Sequence, residues 1–201
     1  LGKVRGDFSA ATIGQKTVCV TGASGYVAGW CVKLLLELGH KVKGTVRTSD
    51  SSTVKHLHEM QNGNLELVEG CDLMVEGSFN AACDGCDVVL HTASPFEIAA
   101  AKDPQKKFVE PAIQGTLNVL RSCTKAGVKT VVQTSSVVAV YGDAAERGVG
   151  HTYTEADWNM HKDPKQGRGY SYSKKVAEEA CVNYAKENPG GFKLLHINPG
   201  L

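Results

Sequence analysis

The chain has 201 residues, enough for one domain with a buried core, and its 42% hydrophobic and 21% charged content is that of an ordinary globule. Lys and Arg number 22 against 21 Asp and Glu, a net charge of +1 with His neutral, so no broad field favours nucleic acid or a membrane surface. No apolar run reaches about 18 residues and no signal peptide with an apolar core is present, so a cytoplasmic protein without a membrane span is expected.

The first 15 residues, with Gly2, Gly6 and Gly14 among charges, read as a loose leader to a single domain over 16–201. From Thr17 short β-branched runs alternate with helical patterns, the mark of successive βαβ units and a parallel sheet. Thr17 to Thr21 is the first strand. The next helix carries Val27, Cys31, Leu34, Leu35 and Leu38 at helical spacing and stops at Gly39. Lys41 to Val46 is the second strand, and Ser51 or Ser52 caps a helix reaching Met60. Leu65 to Val68 is the third strand, a short helix spans Val75 to Ala82, and Asp87 to Thr92 is a central strand buried on both faces.

Pro104 suits the first turn of a helix carrying Phe108, Ile113, Leu117 and Leu120 to about Ala126, with Pro111 either a kink or the true start. Thr130 to Ser135 is the fifth strand. The polar, turn-rich stretch from Gly142 to Gly169 is a long loop of the kind that carries function. Ser171 to Asn188 is a helix and Phe192 to Ile197 the sixth strand. The expectation is therefore an α/β fold with a doubly wound parallel sheet. Cysteines at 19, 31, 71, 83, 86, 123 and 181 lie mostly in apolar runs and read as free thiols of a reducing compartment. Cys83 and Cys86 form a CxxC with no second ligand pair, so no metal is expected.

Between the first strand and its helix, Gly22 permits a sharp turn, Gly25 lets backbone approach a phosphate, and the small Ala28 lets the helix pack close. That arrangement presents helix N-terminal amides to a pyrophosphate. Arg47 follows the second strand, where a dinucleotide fold reads the adenosine ribose, and no Asp or Glu lies between Lys41 and Ser49. A guanidinium there matches a 2′-phosphate, which points to NADP, with Lys55 as a second cation.

Tyr170 and Lys174 stand at i and i+4, so both project from one helix face. A phenol of ordinary pKa near 10 is a poor proton carrier at neutral pH, and a neighbouring ammonium is expected to lower it. Ser135 and Ser136 end the fifth strand, at the edge that lines the ligand crevice of an open α/β sheet. A serine there can bond a substrate carbonyl while Tyr170 protonates the developing alkoxide; Ser136 is favoured, with Ser135 in reserve. Tyr172, two residues from Lys174, faces elsewhere.

With these parts in place the chain resembles an extended short-chain dehydrogenase/reductase of the NAD-dependent epimerase/dehydratase type. It is similar to the dihydroflavonol, cinnamoyl-CoA and aldehyde or ketone reductase group over Lys16 to Leu201. Residues 21 to 28 match TGxxGxx(G/A), Cys71-Asp72-Leu73 the xDL segment, and His91-Thr-Ala-Ser-Pro95 the segment after the fourth strand. Gln114 to Asn118 match the helix motif, Thr134 to Ser136 the serine segment, Tyr170 to Lys174 YxxxK, and Asn198-Pro-Gly200 the nicotinamide loop.

The resemblance implies a Rossmann fold binding NADP(H), which in the family continues into a smaller C-terminal substrate lobe that this chain lacks. It implies that Ser24, Tyr26 and Val27 join Gly22 and Gly25 around the phosphates. Asp72 and the Leu73 amide would hold adenine, Thr92, Ala93 and Ser94 would lie along the cofactor, and Pro199 would close over the nicotinamide. It further implies hydride transfer to a carbonyl carbon, with Tyr170 as proton donor and Lys174 both tuning it and binding the ribose. His91 is read as a core histidine and Asn118 as a structural tie. A small carbonyl compound is the implied partner, with the protein a monomer or homodimer. The NWYCYGK form of the cinnamoyl-CoA reductases is replaced by Gly169-Tyr-Ser-Tyr-Ser-Lys174, which points away from CoA thioesters. A sugar-nucleotide epimerase or dehydratase, a 3-beta-hydroxysteroid dehydrogenase-type enzyme and a non-catalytic NADP-binding regulator are the alternative readings.

Overall fold

The alternation of β-branched runs with helical patterns builds a six-stranded parallel sheet of order β3-β2-β1-β4-β5-β6. It is seen in a computed structural model that describes residues 8–60, 62–94 and 102–200. The strands are β1 Thr17–Val20, β2 Lys41–Thr45, β3 Leu65–Val68, β4 Val88–His91, β5 Thr130–Thr134 and β6 Lys193–Ile197. The helices are α1 Ala10–Ile13, α2 Tyr26–Glu37, α3 Lys55–Glu59, α4 Asn80–Cys83, α5 Glu110–Ala126, α6 Val137–Val140 and α7 Tyr170–Glu187. The chain winds outward from β1 to β3 and then returns to pair β4 with β1, so the order reverses there. All strands run the same way, and the loops after β1 and β4 therefore flank one crevice.

Alternating residues of each strand feed two cores. Cys19, Val89 and Val131 pack with Phe79, Val119, Leu120 and Cys181 on the face covered by α4, α5 and α7. Val18, Val20, Val42 and Leu65 pack with Ala28, Val32, Leu36 and Leu57 on the face covered by α2 and α3. Among the described residues no helix is long and apolar enough to cross a membrane.

Several elements depart from expectation for identifiable reasons. α2 buries Ala28, Gly29, Val32 and Leu36, while Val27, Leu34 and Leu38 are exposed. Apolar residues lie on both sides of this helix, and the side that packs is the one whose small Ala28 and Gly29 allow close approach. A Cβ at Gly29 would come within 3.2 Å of His56 Nε2. The helix expected over Val75 to Ala82 is confined to α4, because Gly77 turns at a φ of 78°. Pro111 sits in the first turn of α5, the start it was read to mark, and helical backbone continues behind it to residue 104. Gln105–Val109 widen into a π turn just before it, which accommodates a ring that would crowd the carbonyl four residues back.

The described part of the leader is not loose. The Ala10 amide donates to Leu38 O, and Gln15 Nε2 donates to Gly39 O. The CxxC cysteines do not face a common ligand: Cys83 Sγ lies 3.9 Å from Cys123 Sγ, whereas Cys86 Sγ donates to Ala82 O. Burial pushes the Cys71 and Cys86 thiols up to about 11 and Cys181 to about 12, which keeps them protonated and unreactive near neutrality.

Gly115 is the closest approach of α5 to the segment after β3, since a Cβ there would lie 2.9 Å from Leu73 Cβ and 3.1 Å from its Cδ2. Gly115→Val should therefore destabilise the domain by about 2 kcal/mol, because overpacking outweighs the helix propensity gained on losing glycine. Urea unfolding measures it, and stability equal to wild type would show that Leu73 can move aside freely.

Candidate cofactor and catalytic site

The turn after β1 is braced from both sides. Thr21 is fully buried, and its Oγ1 accepts from the Thr92 amide at 3.1 Å and the Ala93 amide at 3.0 Å. With both acceptor directions used, its hydroxyl donates to His91 Nδ1 at 2.9 Å, which leaves the His91 proton on Nε2. Burial, with Lys174 nearby, holds His91 down to about 4, so it stays neutral as the core histidine expected. On the other side Thr45 Oγ1 accepts from the Gly22 amide at 2.9 Å. Gly22 has a φ of 66°, and a Cβ on it would come 3.1 Å from Ala93. Ser24, Gly25, Tyr26 and Val27 follow it, all exposed, where the first amides of α2 lack helical acceptors. A short positively polarised rim is left facing solvent.

Arg47 is exposed directly after β2, its carbonyl bonded by the Gly70 amide, and Lys55 opens α3, also exposed. Asp72 follows β3 on the same edge. Its Oδ1 accepts from the Met74 amide at 2.8 Å, so the carboxylate holds its own turn while standing exposed. Leu73 is half-buried, and its carbonyl accepts from Asn118 Nδ2 at 2.8 Å. Asn118 thus ties α5 to the segment after β3, rather than strand to strand. Thr92, Ala93 and Ser94 lie half-buried after β4; Pro95 falls outside the described residues.

The Ser136 side chain lies beside the Tyr170 phenol and favours its ionised form. Lys174 Nζ lies 5.7 Å from the Tyr170 ring centre and donates to Ser94 Oγ at 3.2 Å. Burial raises the Tyr170 phenol above its ordinary value, opposed by the Ser136 side chain. The expected lowering by Lys174 is therefore not what this structure holds: desolvation of the phenolate dominates. Lys174 is 8% exposed, and desolvation pulls its ammonium down to about 8, partly offset by Glu178. Ser135 is buried in a pocket behind Lys174 that His91, Gln133 and Thr116 also line. It is Ser136, one residue on, that reaches Tyr170.

Sequence reasoning missed several supporting residues. Thr45 was read only as a strand residue, and Thr21 only as a strand end opening the glycine motif, although a hydroxyl at a strand's end is the signal that finds them. Asn159 is buried in the long loop, and its Nδ2 donates to Ser171 O at 3.0 Å, tying that loop to α7. Asn198 Nδ2 donates to Ser136 O at 3.2 Å, and the Val137 amide donates to Pro199 O at 3.0 Å. Pro199 is thus anchored beside Ser136, itself exposed.

The model of the NAD dependent epimerase/dehydratase family matches residues 18–199. A cinnamoyl-CoA reductase of Medicago truncatula is 42% identical over 96% of this chain and 60% of its own length. A dihydroflavonol 4-reductase of Dianthus caryophyllus is 41% identical over 94% of this chain and 53% of its own. Among solved structures, yeast methylglyoxal/isovaleraldehyde reductase complexed with NADPH superposes with a TM-score of 0.81 at 31% identity, covering 91% of this chain and 57% of that one. The chain therefore spans little more than half the length of the relatives it matches.

Gly169 precedes Tyr170 with a φ of 83°, and a Cβ there would lie 2.7 Å from Phe108 Cδ2 and 2.9 Å from Pro104 Cβ. The start of α7 can take its place only with glycine in that left-handed turn. Gly169→Ala should cost about 2 kcal/mol or more, from backbone strain added to the clash. Thermal unfolding checks the loss, and an unchanged melting temperature would mean that Phe108 yields.

Proposed function

Because the chain belongs to the NAD dependent epimerase/dehydratase family, we propose that it is the cofactor-binding and catalytic part of an NADPH-dependent oxidoreductase that reduces an aldehyde or ketone carbonyl. The observation that carries this reading is the Lys174 ammonium 5.7 Å from the Tyr170 ring centre on one helix face, with the Ser136 side chain beside the phenol. It lies beside the crevice where the strand order reverses.

The residues present fit a dinucleotide. Gly22 and Gly25 leave bare backbone at the start of α2, and a Cβ at Gly25 would crowd Gly22 O at 3.2 Å. The Ser24, Tyr26 and Val27 amides face the pyrophosphate in this reading, the Gly25 amide being bonded to Gly22 O. Arg47 and Lys55 take the 2′-phosphate, Asp72 and the Leu73 amide take the adenine, and Thr92, Ala93 and Ser94 line the way to the nicotinamide, with Pro199 over it. When bound, NADPH supplies the hydride.

The remaining chemistry belongs to side chains. Ser136 Oγ and Tyr170 Oη converge on the substrate carbonyl oxygen, Ser136 orienting it and Tyr170 giving it a proton as negative charge develops. A phenol kept protonated by burial is in the right state to donate. The phenolate it leaves is stabilised by the nearby Lys174 ammonium and by the Ser136 side chain. Lys174, already bonded to Ser94, is the group that would reach the ribose hydroxyls. Arg47, in place of an acid, favours a dissociable NADPH over the retained NAD of an epimerase. The generic sequence around Tyr170 favours a ketone or aldehyde of the dihydroflavonol kind over a CoA thioester.

In the full-length protein, Tyr170→Phe should lower turnover about 10²-fold or more while leaving the NADPH dissociation constant within about twofold, since only the proton donor is removed. NADPH oxidation against a panel of aldehydes and ketones, with cofactor fluorescence for binding, reads both, and retained turnover would remove Tyr170 from its role. Arg47→Ser should weaken NADPH roughly tenfold or more and leave NADH nearly unchanged, given the strength of a charge-assisted bond to phosphate. Parallel loss for both cofactors would place the 2′-phosphate elsewhere.

A further inference from the structure

We propose that Glu178 is a positioning residue of this site, holding Lys174 in its ammonium form and fixing Asn198 against the Ser136 backbone. The inference rests on the reductase reading above and deepens it. Glu178 lies one turn beyond Lys174 on α7, and each is 8% exposed. A carboxylate buried to that degree is costly unless it is bonded and faces a cation. The bond is present, because Glu178 Oε2 accepts from Asn198 Nδ2 at 2.9 Å, and the cation stands one helical turn away on α7, where the carboxylate charge opposes the desolvation of Lys174.

The same Asn198 nitrogen donates its second hydrogen to Ser136 O at 3.2 Å. A carboxylate only accepts, so it dictates which end of the Asn198 amide faces inward. Ser136 is further held by its neighbours, the Ser135 amide on Ile197 O at 2.8 Å and the Val137 amide on Pro199 O at 3.0 Å. One acid therefore acts on both halves of the site: on the charge beside Tyr170 across one helical turn, and through Asn198 on the backbone that aims the Ser136 hydroxyl.

Among the described residues, the groups facing this pair leave no other charge to take over the task. From β4 comes His91, neutral, and from β5 Gln133. From β6 comes His196, which burial lowers while Glu178 opposes the drop. On α7 itself Tyr170 and Cys181 are both pushed up by burial, and Lys175 turns aside to donate to His161 O. α5 contributes Pro111, Ala112 and Thr116 to the pocket behind Lys174, none of them ionisable, and α6 is Val137 to Val140. With Glu178 neutralised, desolvation acts on Lys174 unopposed, and the ammonium gives up its proton at lower pH.

The test is competitive labelling of the ligand-free protein with trace acetic anhydride, read at Lys174 by site-resolved mass spectrometry across pH. In Glu178→Gln, which keeps an acceptor for Asn198 and removes the charge, the Lys174 midpoint should fall by about one pH unit, as expected for loss of a close opposite charge. Glu178→Asp should give a midpoint between the two. Asn198→Ala should leave the midpoint in place and lower kcat roughly tenfold with KM for NADPH little changed, the signature of lost orientation. The alkaline limb of kcat/KM should move to lower pH with Glu178→Gln and stay put with Asn198→Ala. An unshifted Lys174 midpoint in folded Glu178→Gln overturns the proposal. If that variant does not fold, an unshifted midpoint in Glu178→Asp does so. The labelling needs no turnover, so absence of carbonyl reduction would defeat the reductase reading without touching the result for Glu178.

Discussion

The site hangs on one buried hydroxyl. Thr21 Oγ1 accepts two amides from the segment after β4 and donates to His91, so all its bonding capacity is spent inside the protein. Those bonds pull the Thr92-Ala93-Ser94 segment against the turn at Gly22, close enough that a Cβ on Gly22 would meet Ala93 at 3.1 Å. They also bring Ser94 within reach of Lys174, which arrives from α7 some eighty residues later in the chain. A parallel sheet places its strand ends on one edge as a matter of topology. Drawing two of those ends into a single crevice takes specific bonds, and Thr21 supplies them. A valine here would fill the same volume and keep the strand, but leave the Thr92 and Ala93 amides and His91 Nδ1 without their partner, a large cost at full burial.

The strands were legible because their pattern is local: β3 falls on Leu65 to Val68 as read, and each of the other strands is one residue shorter than read at one end or both. The places of the glycine turn, Arg47 and the Tyr170/Lys174 pair in the fold were legible for a related reason, since each depends on spacing within one element or one turn. What could not be read was set by partners distant in sequence. The packed side of α2 was decided by His56 arriving at Gly29, not by the helix's own apolar spacing. The continuity of the helix through Pro111 required a π turn that no residue type announces. Asn118 was rightly seen as structural, but its partner, the Leu73 carbonyl, became visible only once Gly115 let the helix close on Leu73.

The direction of the Tyr170 shift is the most instructive departure. A lysine one turn away suggests a lowered phenol, and that argument treats the pair as if it sat in water. In the fold both groups are desolvated, and burial favours the uncharged form of each, raising Tyr170 and lowering Lys174 together. Two neutral partners would leave a poor proton donor, because nothing would stabilise the phenolate formed on donation. The charge must therefore be kept on Lys174 by something buried with it, and Glu178 is the group positioned to do so, at a distance of one helical turn and on the side away from Tyr170. The helix that carries the phenol and the ammonium thus also carries the acid that keeps the ammonium charged. Its start is pinned by Gly169 against Phe108, and Asn198 ties its inner face to the serine strand end. Acidity in this site is then a property of α7 as a rigid unit: displacing the helix would separate Tyr170 from Ser136 and Glu178 from Asn198 in the same movement.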